Sequence, residues 1–179
     1  MLTMGKTVVL IDGPNIYYAT RALGFRIDWG RFRDYFSKKY NILRLYYYTA
    51  LDFEAESNPI VRMTDWLAYN GYVVRSKPLK VRGESHKGNM DVELAVDALT
   101  LVGTYDHAII LSGDGDLRSL VEALEFKGIR VTVIQTKQGE QTGIASELIM
   151  QADEFIDLKD LQAEIEDTRS RESNGSSTE

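Results

Sequence analysis

The sequence predicts an α/β protein: a three-layer α/β/α sandwich built on a mostly parallel sheet. Two observations carry this. Short apolar runs without polar alternation, such as Val8 to Ile11, Ala108 to Leu111 and Val131 to Ile134, suit strands covered on both faces. Amphipathic segments of helical spacing separate them, the alternation expected of crossover connections. A third observation points to a site. Two of these runs end abruptly in aspartate, and in open α/β sheets ligands bind in the crevice outside the carboxyl ends of the strands.

Taken in order, Thr7 to Ile11 reads as the first strand, stopped by Asp12. Gly13, Pro14 and Asn15 predict a turn, and Ile16 to Leu23 a helix. Asn15 either caps that helix or turns its amide into the crevice. Asp28 to Tyr40 places Trp29, Phe32, Phe36 and Tyr40 at helical spacing behind a capping aspartate. Ile42 to Ala50 is strand-like, its three tyrosines fitting a sheet better than a base-stacking platform. Pro59 to Asn70 is an amphipathic helix closed by Asn70-Gly71, and Tyr72 to Arg75 a further strand. Ser76 to Asn89 reads as a polar loop with Lys77, Lys80, Arg82, His86 and Lys87 against the single acid Glu84. It is either a solvated loop or a basic arm.

Met90 to Val102 is the next helix. At about 100° per residue, Asp91 falls in the middle of the apolar stripe formed by Leu94, Ala95, Ala98 and Leu101, whereas Glu93 and Asp97 fall on the polar side, Asp97 as plain surface. A carboxylate on a buried face is costly unless backbone amides or a cation satisfy it. The strand from Ala108 then breaks at Ser112-Gly113-Asp114-Gly115-Asp116, where the glycines permit a sharp turn. Leu117 to Lys127 is a helix, Arg130 to Gln135 a strand, Thr136 to Thr142 a polar loop, Ile144 to Gln151 a helix and Glu154 to Leu158 a final short strand. A last helix is expected from Lys159 to about Thr168. Residues 1–161 are assigned to one domain and 162–179 to a polar, acidic tail whose end has a disordered composition.

Composition narrows the chemistry. With no cysteine and two histidines among 179 residues, disulfides and thiolate sites are excluded and an imidazole-built zinc site is disfavoured. No apolar run approaches a membrane span, and the N-terminus lacks a signal-peptide pattern, so a cytoplasmic protein is expected. The net charge of −6 is uneven: residues 160–179 carry six acids and two arginines, leaving −2 for the rest. A polyanionic partner therefore remains compatible with the main domain.

Asp12, Asp91, Asp114 and Asp116 are thus directed to one end of the sheet. Carboxylates about 4 Å apart repel by roughly 4 kcal/mol at an effective dielectric of 20, so such a group calls for a cation. Oxygen donors alone indicate Mg2+ or Mn2+, ions suited to phosphoryl chemistry. An EF-hand is rejected, because with Asp114 and Asp116 as positions one and three, Arg118 stands at five and Ser119 where glycine is required. No Walker A loop, G-x-G-x-x-G or Ser/His/Asp arrangement is present.

The stretches VVLIDGPNIYY, KGNMDVELAVDAL and IILSGDGDL, followed by RVTVIQ and LIMQADEFIDL, resemble the NYN domain of the PIN-like nuclease superfamily, in its LabA-like (DUF88) group. The resemblance spans roughly Lys6 to Leu161. It implies a PIN-like, Rossmann-like fold and an acidic Mg2+- or Mn2+-dependent site acting on RNA. Matched by motif, the metal-binding aspartates are Asp12, Asp91 and Asp114, Asp116 is the accompanying acid, and Asn15 and Ser112 are supporting polar positions. On this reading the protein is a ribonuclease in which Asp12, Asp91 and Asp114 bind a first ion, Asp116 helps hold a second ion or the attacking water, and Asn15 and Ser112 position phosphate or metal-bound water. Lys77, Lys80, Arg82 and Lys87 would steer a single-stranded RNA backbone without reading sequence. The alternative is a non-cleaving RNA- or protein-binding module of the same fold acting in gene expression. Homodimerisation and a protein partner for the acidic tail are left open.

Overall fold

A computed structural model describes residues 5–51, 59–78, 80–82, 85–87, 89–138 and 144–169, with only the backbone course at 80–82 and 85–87. Six strands form one all-parallel sheet: β1 (Lys6–Asp12), β2 (Asn41–Leu51), β3 (Tyr72–Pro78), β6 (His107–Leu111), β7 (Arg130–Gln135) and β8 (Glu154–Asp157), in the order β3-β2-β1-β6-β7-β8. Between them in sequence, β4 (Lys80–Arg82) and β5 (Ser85–Lys87) pair as a separate antiparallel hairpin. The expected loop at Ser76–Asn89 is corrected accordingly: β3 runs on to Pro78, and the hairpin follows.

Strand alternation splits the core in two. On β1, Val8 and Leu10 face one layer, where they meet Ala108 and Ile110, Val131 and Val133, and the helices α4 (Asp91–Thr100), α5 (Arg118–Phe126) and α6 (Ser146–Gln151) through Leu94, Leu124 and Leu148. Val9 and Ile11 face the other layer. There they join Ile109, Leu111 and Ile134 against α1 (Gly13–Ala22), α2 (Trp29–Lys39), α3 (Pro59–Tyr69) and α7 (Gln162–Ile165), through Ile16, Phe32, Leu67 and Ile165. Both sheet faces are thus covered, which is why these strands read as unbroken apolar runs. The tyrosines Tyr46, Tyr47 and Tyr48 are sheet residues buried in these layers.

Two expectations change at the chain's later end. The long helix from Lys159 is instead a 3-10 turn, Leu158–Leu161, followed by the single-turn α7. Nor does the ordered chain stop at 161: Ile165 is fully buried, Arg31 donates to the carbonyls of Ala163 and Glu166, and Ile27 and Glu166 form a β-bridge. Residues 170–179 lie outside the described part.

β1 and β6 lie side by side at the centre, and the chain leaves them in opposite directions: from β1 to β2, from β6 to β7. This is a topological switch point. Register aligns Asp12 with Tyr48, Ile11 with Leu111, Ile110 with Val133 and Gln135 with Asp157. A polar row, Asp12, Ser112, Gln135, therefore crosses three adjacent strand ends.

Candidate metal centre

Asp12 ends β1 and caps α1 directly, so the helix begins at Gly13 rather than after a turn. The close approach explains the glycine. A Cβ there would sit 2.7 Å from the Tyr47 ring. One Asp12 oxygen accepts from the Asn15 backbone N–H (3.4 Å), the other from the Ser112 hydroxyl (2.9 Å). Asn15 is consequently not the cap. Its side-chain oxygen instead accepts from the Gly113 N–H (3.0 Å) and from the Gln135 amide.

After β6, Ser112 is fully buried and its Oγ also accepts from the Asp114 N–H (3.3 Å). Asp114 caps the 3-10 turn Gly115–Leu117, accepting from the Asp116 N–H (3.0 Å). Asp91 arrives from a different direction, as the first residue of α4. Asn89 brackets it with one side chain: its Oδ1 accepts from the Asp91 N–H and its Nδ2 donates to the Asp91 carboxylate, both at 2.6 Å.

The three acids converge. Asp91, Asp114 and Asp116 each offer one carboxylate oxygen, and these oxygens lie within 4.8 Å of one another. Asp91 and Asp114 are half-buried and Asp116 is exposed. Asp12 lies outside this tightest group but within its field. Burial first, then the charges of Asp91 and Asp114, raise its carboxyl from 3.8 to about 6, against the lowering effect of the Ser112 and Asn15 hydrogen bonds. Asp91 is also raised, chiefly by burial and then by Asp114 and Asp116, with its Asn89 hydrogen bond opposing. None of the four is in an ion pair with a lysine or arginine among the described residues.

The donor set suits a hard divalent ion. Several carboxylate oxygens, open to solvent on one side and held by neutral hydrogen bonds, are compatible with the oxygen coordination that hard divalent ions take. An open cleft of about 510 Å3 starts at Asp91 and Asp116 and runs between α4 and α5, lined by Val92, Ala95, Leu99 and Leu120.

The expected substrate residues are placed less favourably. Lys77 on β3 is engaged with Glu93 of α4, at 3.0 and 3.2 Å from its two oxygens. Lys80, Arg82 and Lys87 are on the hairpin, where their side chains, like that of His86, lie outside the described part. Asp97 is not plain surface: its Oδ2 accepts from Tyr48 (3.2 Å) and Arg75 (3.0 Å), a bridge from α4 to the sheet. Sequence reasoning passed over Asn89 and Gln135. The signal for Gln135 was available, since it is the one polar residue closing RVTVIQ where Asp12 and Ser112 close neighbouring strands.

Comparison with known proteins agrees with this architecture. The chain is 33% identical to the Low amplitude and bright protein LabA of Synechococcus elongatus, over 91% of this chain and 89% of that one. A crystal structure of a protein of unknown function from Vibrio parahaemolyticus superposes with a TM-score of 0.72 at 27% identity, over 88% of this chain and 96% of that one. Among the described residues no helix is long and apolar enough to cross a membrane. Residues 6–161 match the NYN domain, and the chain belongs to that family, within the PIN-like superfamily.

Proposed function

We propose that this protein is a metal-dependent ribonuclease whose acidic centre binds Mg2+ or Mn2+ and hydrolyses RNA phosphodiester bonds. The observation that carries the reading is the meeting of Asp91, Asp114 and Asp116 from two separate elements, without a basic side chain to neutralise them. Two unit charges at that spacing or closer repel by at least about 3 kcal/mol at an effective dielectric of 20, a cost that a bound cation would offset. The family match supports a nuclease-like site.

The residues divide the work. Asp91, Asp114 and Asp116 would hold the ion. Asp12, at the switch point, faces the same field and would complete the anionic pocket or accept a proton, its raised pKa placing it close to neutrality. When bound, the ion supplies an acidified water and positive charge beside the phosphate. Ser112 fixes the Asp12 carboxylate through its hydroxyl and the Asp114 backbone through its oxygen, so one buried side chain keeps both strand ends in register. The apolar cleft beside Asp91 and Asp116 would receive the nucleoside next to the scissile phosphate. Its lining offers mainly carbon, which fits recognition without base identity.

The deciding experiment is cleavage of single-stranded RNA with and without added Mg2+ or Mn2+, comparing wild type with Asp114→Asn. Metal-dependent products that vanish in a still-folded variant are expected. Tight RNA binding with no products over long incubation would replace this reading with that of a non-cleaving module.

A further inference from the structure

The carboxamides of Asn15 and Gln135 form a chain whose two ends are main-chain N–H groups. At one end, the Thr136 N–H donates to the Gln135 side-chain oxygen (2.8 Å). At the other, the Gly113 N–H donates to the Asn15 side-chain oxygen (3.0 Å). Between them the Gln135 side-chain nitrogen donates to that same Asn15 oxygen. A backbone N–H can only donate. It therefore dictates which end of a carboxamide faces it, and the two together settle both amide orientations. Flipping Gln135 would set its NH2 against the Thr136 N–H and its oxygen against the Asn15 oxygen. Flipping Asn15 would set its NH2 against two donors. Gln135 and Thr136 are fully buried, so neither fault could be repaired by solvent.

From this we infer that Gln135 is a positioning residue, and that it fixes Asn15 with its oxygen committed to the protein and its nitrogen presented as a donor. Asn15 would then serve the site through N–H and not as a metal ligand, since its one hard donor oxygen already accepts two hydrogen bonds. Its Nδ2 has no protein partner among the described residues, while the Asn15 main-chain N–H is spent on Asp12. A free donor beside an anionic centre suits a phosphate oxygen or an attacking water, an assignment that rests on the ribonuclease reading. The orientation itself does not. It follows from the strand order, which sets the ends of β1, β6 and β7 side by side so that one asparagine can span all three.

Two measurements separate the claims. In 15N-labelled wild type, the side-chain NH2 of Gln135 should exchange with solvent at least about tenfold more slowly than that of Asn15, because only the former is buried and bonded. Equal or reversed protection would overturn the orientation, and this comparison needs neither a variant nor cleavage. For activity, Gln135→Met removes the donor while keeping the volume, and should lower turnover by about tenfold with Mn2+ affinity unchanged, the size expected of an outer supporting group. Gln135→Glu should match wild type while its carboxyl is protonated and can donate as the amide does. Its turnover relative to wild type should fall toward the Met variant as pH rises and the group becomes an acceptor. In an Asn15→Ala background, Gln135→Met should have no further effect. A full additional loss there, or a flat pH ratio for Gln135→Glu that stays at the Met level, would show that Gln135 does not act through Asn15. Should wild type cleave no RNA, the ribonuclease reading fails, and the exchange comparison still decides the orientation.

Discussion

The two ends of the sheet carry the same residue type wired in opposite ways. At the amino ends of the strands each acid has its own donor. Asp106 accepts from the Lys6 N–H at 2.8 Å, Asp153 from the Val131 N–H at 2.7 Å, and Glu154 from Arg130 at 3.3 Å and Thr132 at 3.2 Å. At the carboxyl ends Asp91, Asp114 and Asp116 face one another, and Asp12 feels two of them. The first arrangement lowers the energy of the chain it sits in. The second raises it until something positive arrives. Acid count alone would not separate these ends, and neither would hydrogen bonding, since Asp12, Asp91 and Asp114 also accept from donors; the crowding of several carboxylates into one space does.

The strongest way to break the comparison is to remove one carboxyl-end acid. Asp114→Asn should reduce Mg2+- or Mn2+-dependent RNA cleavage by more than about a hundredfold, beyond the loss typical of outer-shell changes. An RNA cleavage assay with folding checked by circular dichroism measures it. Next, the metal should stabilise the wild type by about 2.7 kcal/mol at a hundred times its dissociation constant. Thermal melts with and without Mn2+ read this, and Asp114→Asn should abolish the shift. Equal stabilisation in the variant would place the ion elsewhere.

Removing the charge at Asp12 should do the reverse of what an amino-end acid does. Its folded-state value of about 6 exceeds the ordinary 3.8, so the folded chain binds more protons between those values, and its contribution to stability is lost as pH rises from 3.8 through about 6. Without metal at pH 7, Asp12→Asn should therefore stabilise the fold, by about 2 kcal/mol once some residual solvation of the carboxylate is allowed for. Urea unfolding in chelator at pH 7 and pH 4.5 tests the sign. The gain should be full at the higher pH and reduced to roughly a third at the lower.

How far this could be read from sequence depended on range. Apolar runs such as Ala108 to Leu111 are legible because burial on both faces leaves no polar face to mark. Asp12 and Asp114 are legible because each interrupts such a run, and Asp91 because helical periodicity puts a charge on a buried stripe. What escaped depends on which strands are neighbours. The link of Asn15 to Gln135 spans 120 positions and requires β1, β6 and β7 to be adjacent, a fact no local window contains. The same holds for Asp97, whose Tyr48 partner lies 49 residues away. Grouping the acids by motif also differed from grouping them by distance. The turn at Gly115 brings Asp116 in beside Asp91 and Asp114, whereas Asp12 is drawn back by Ser112.

At the amino end the expected effects are smaller and opposite in kind. Asp153→Ala leaves the Val131 N–H without its acceptor and should cost about 1 kcal/mol in urea unfolding, with metal binding unchanged. The smallest effect belongs to His107, buried between Thr7 at 3.3 Å and Thr132 at 2.8 Å, with the Tyr40 ring beside it. Burial, then Arg130, lowers its pKa below the usual 6.5, while Glu154 and Asp153 oppose the shift. The unfolded chain then takes up the proton first. Stability should be unaffected by this group above pH 6.5 and should fall as pH drops below it, levelling once the folded imidazole is protonated too. His107→Gln should remove that slope from a plot of urea midpoint against pH. In the metal-free protein the two ends thus answer acid with opposite signs, Asp12 gaining and His107 losing. A His107→Gln, Asp12→Asn double variant should be flatter between pH 4 and 7 than either single one, because the two groups sit at opposite ends of neighbouring strands and their effects should add.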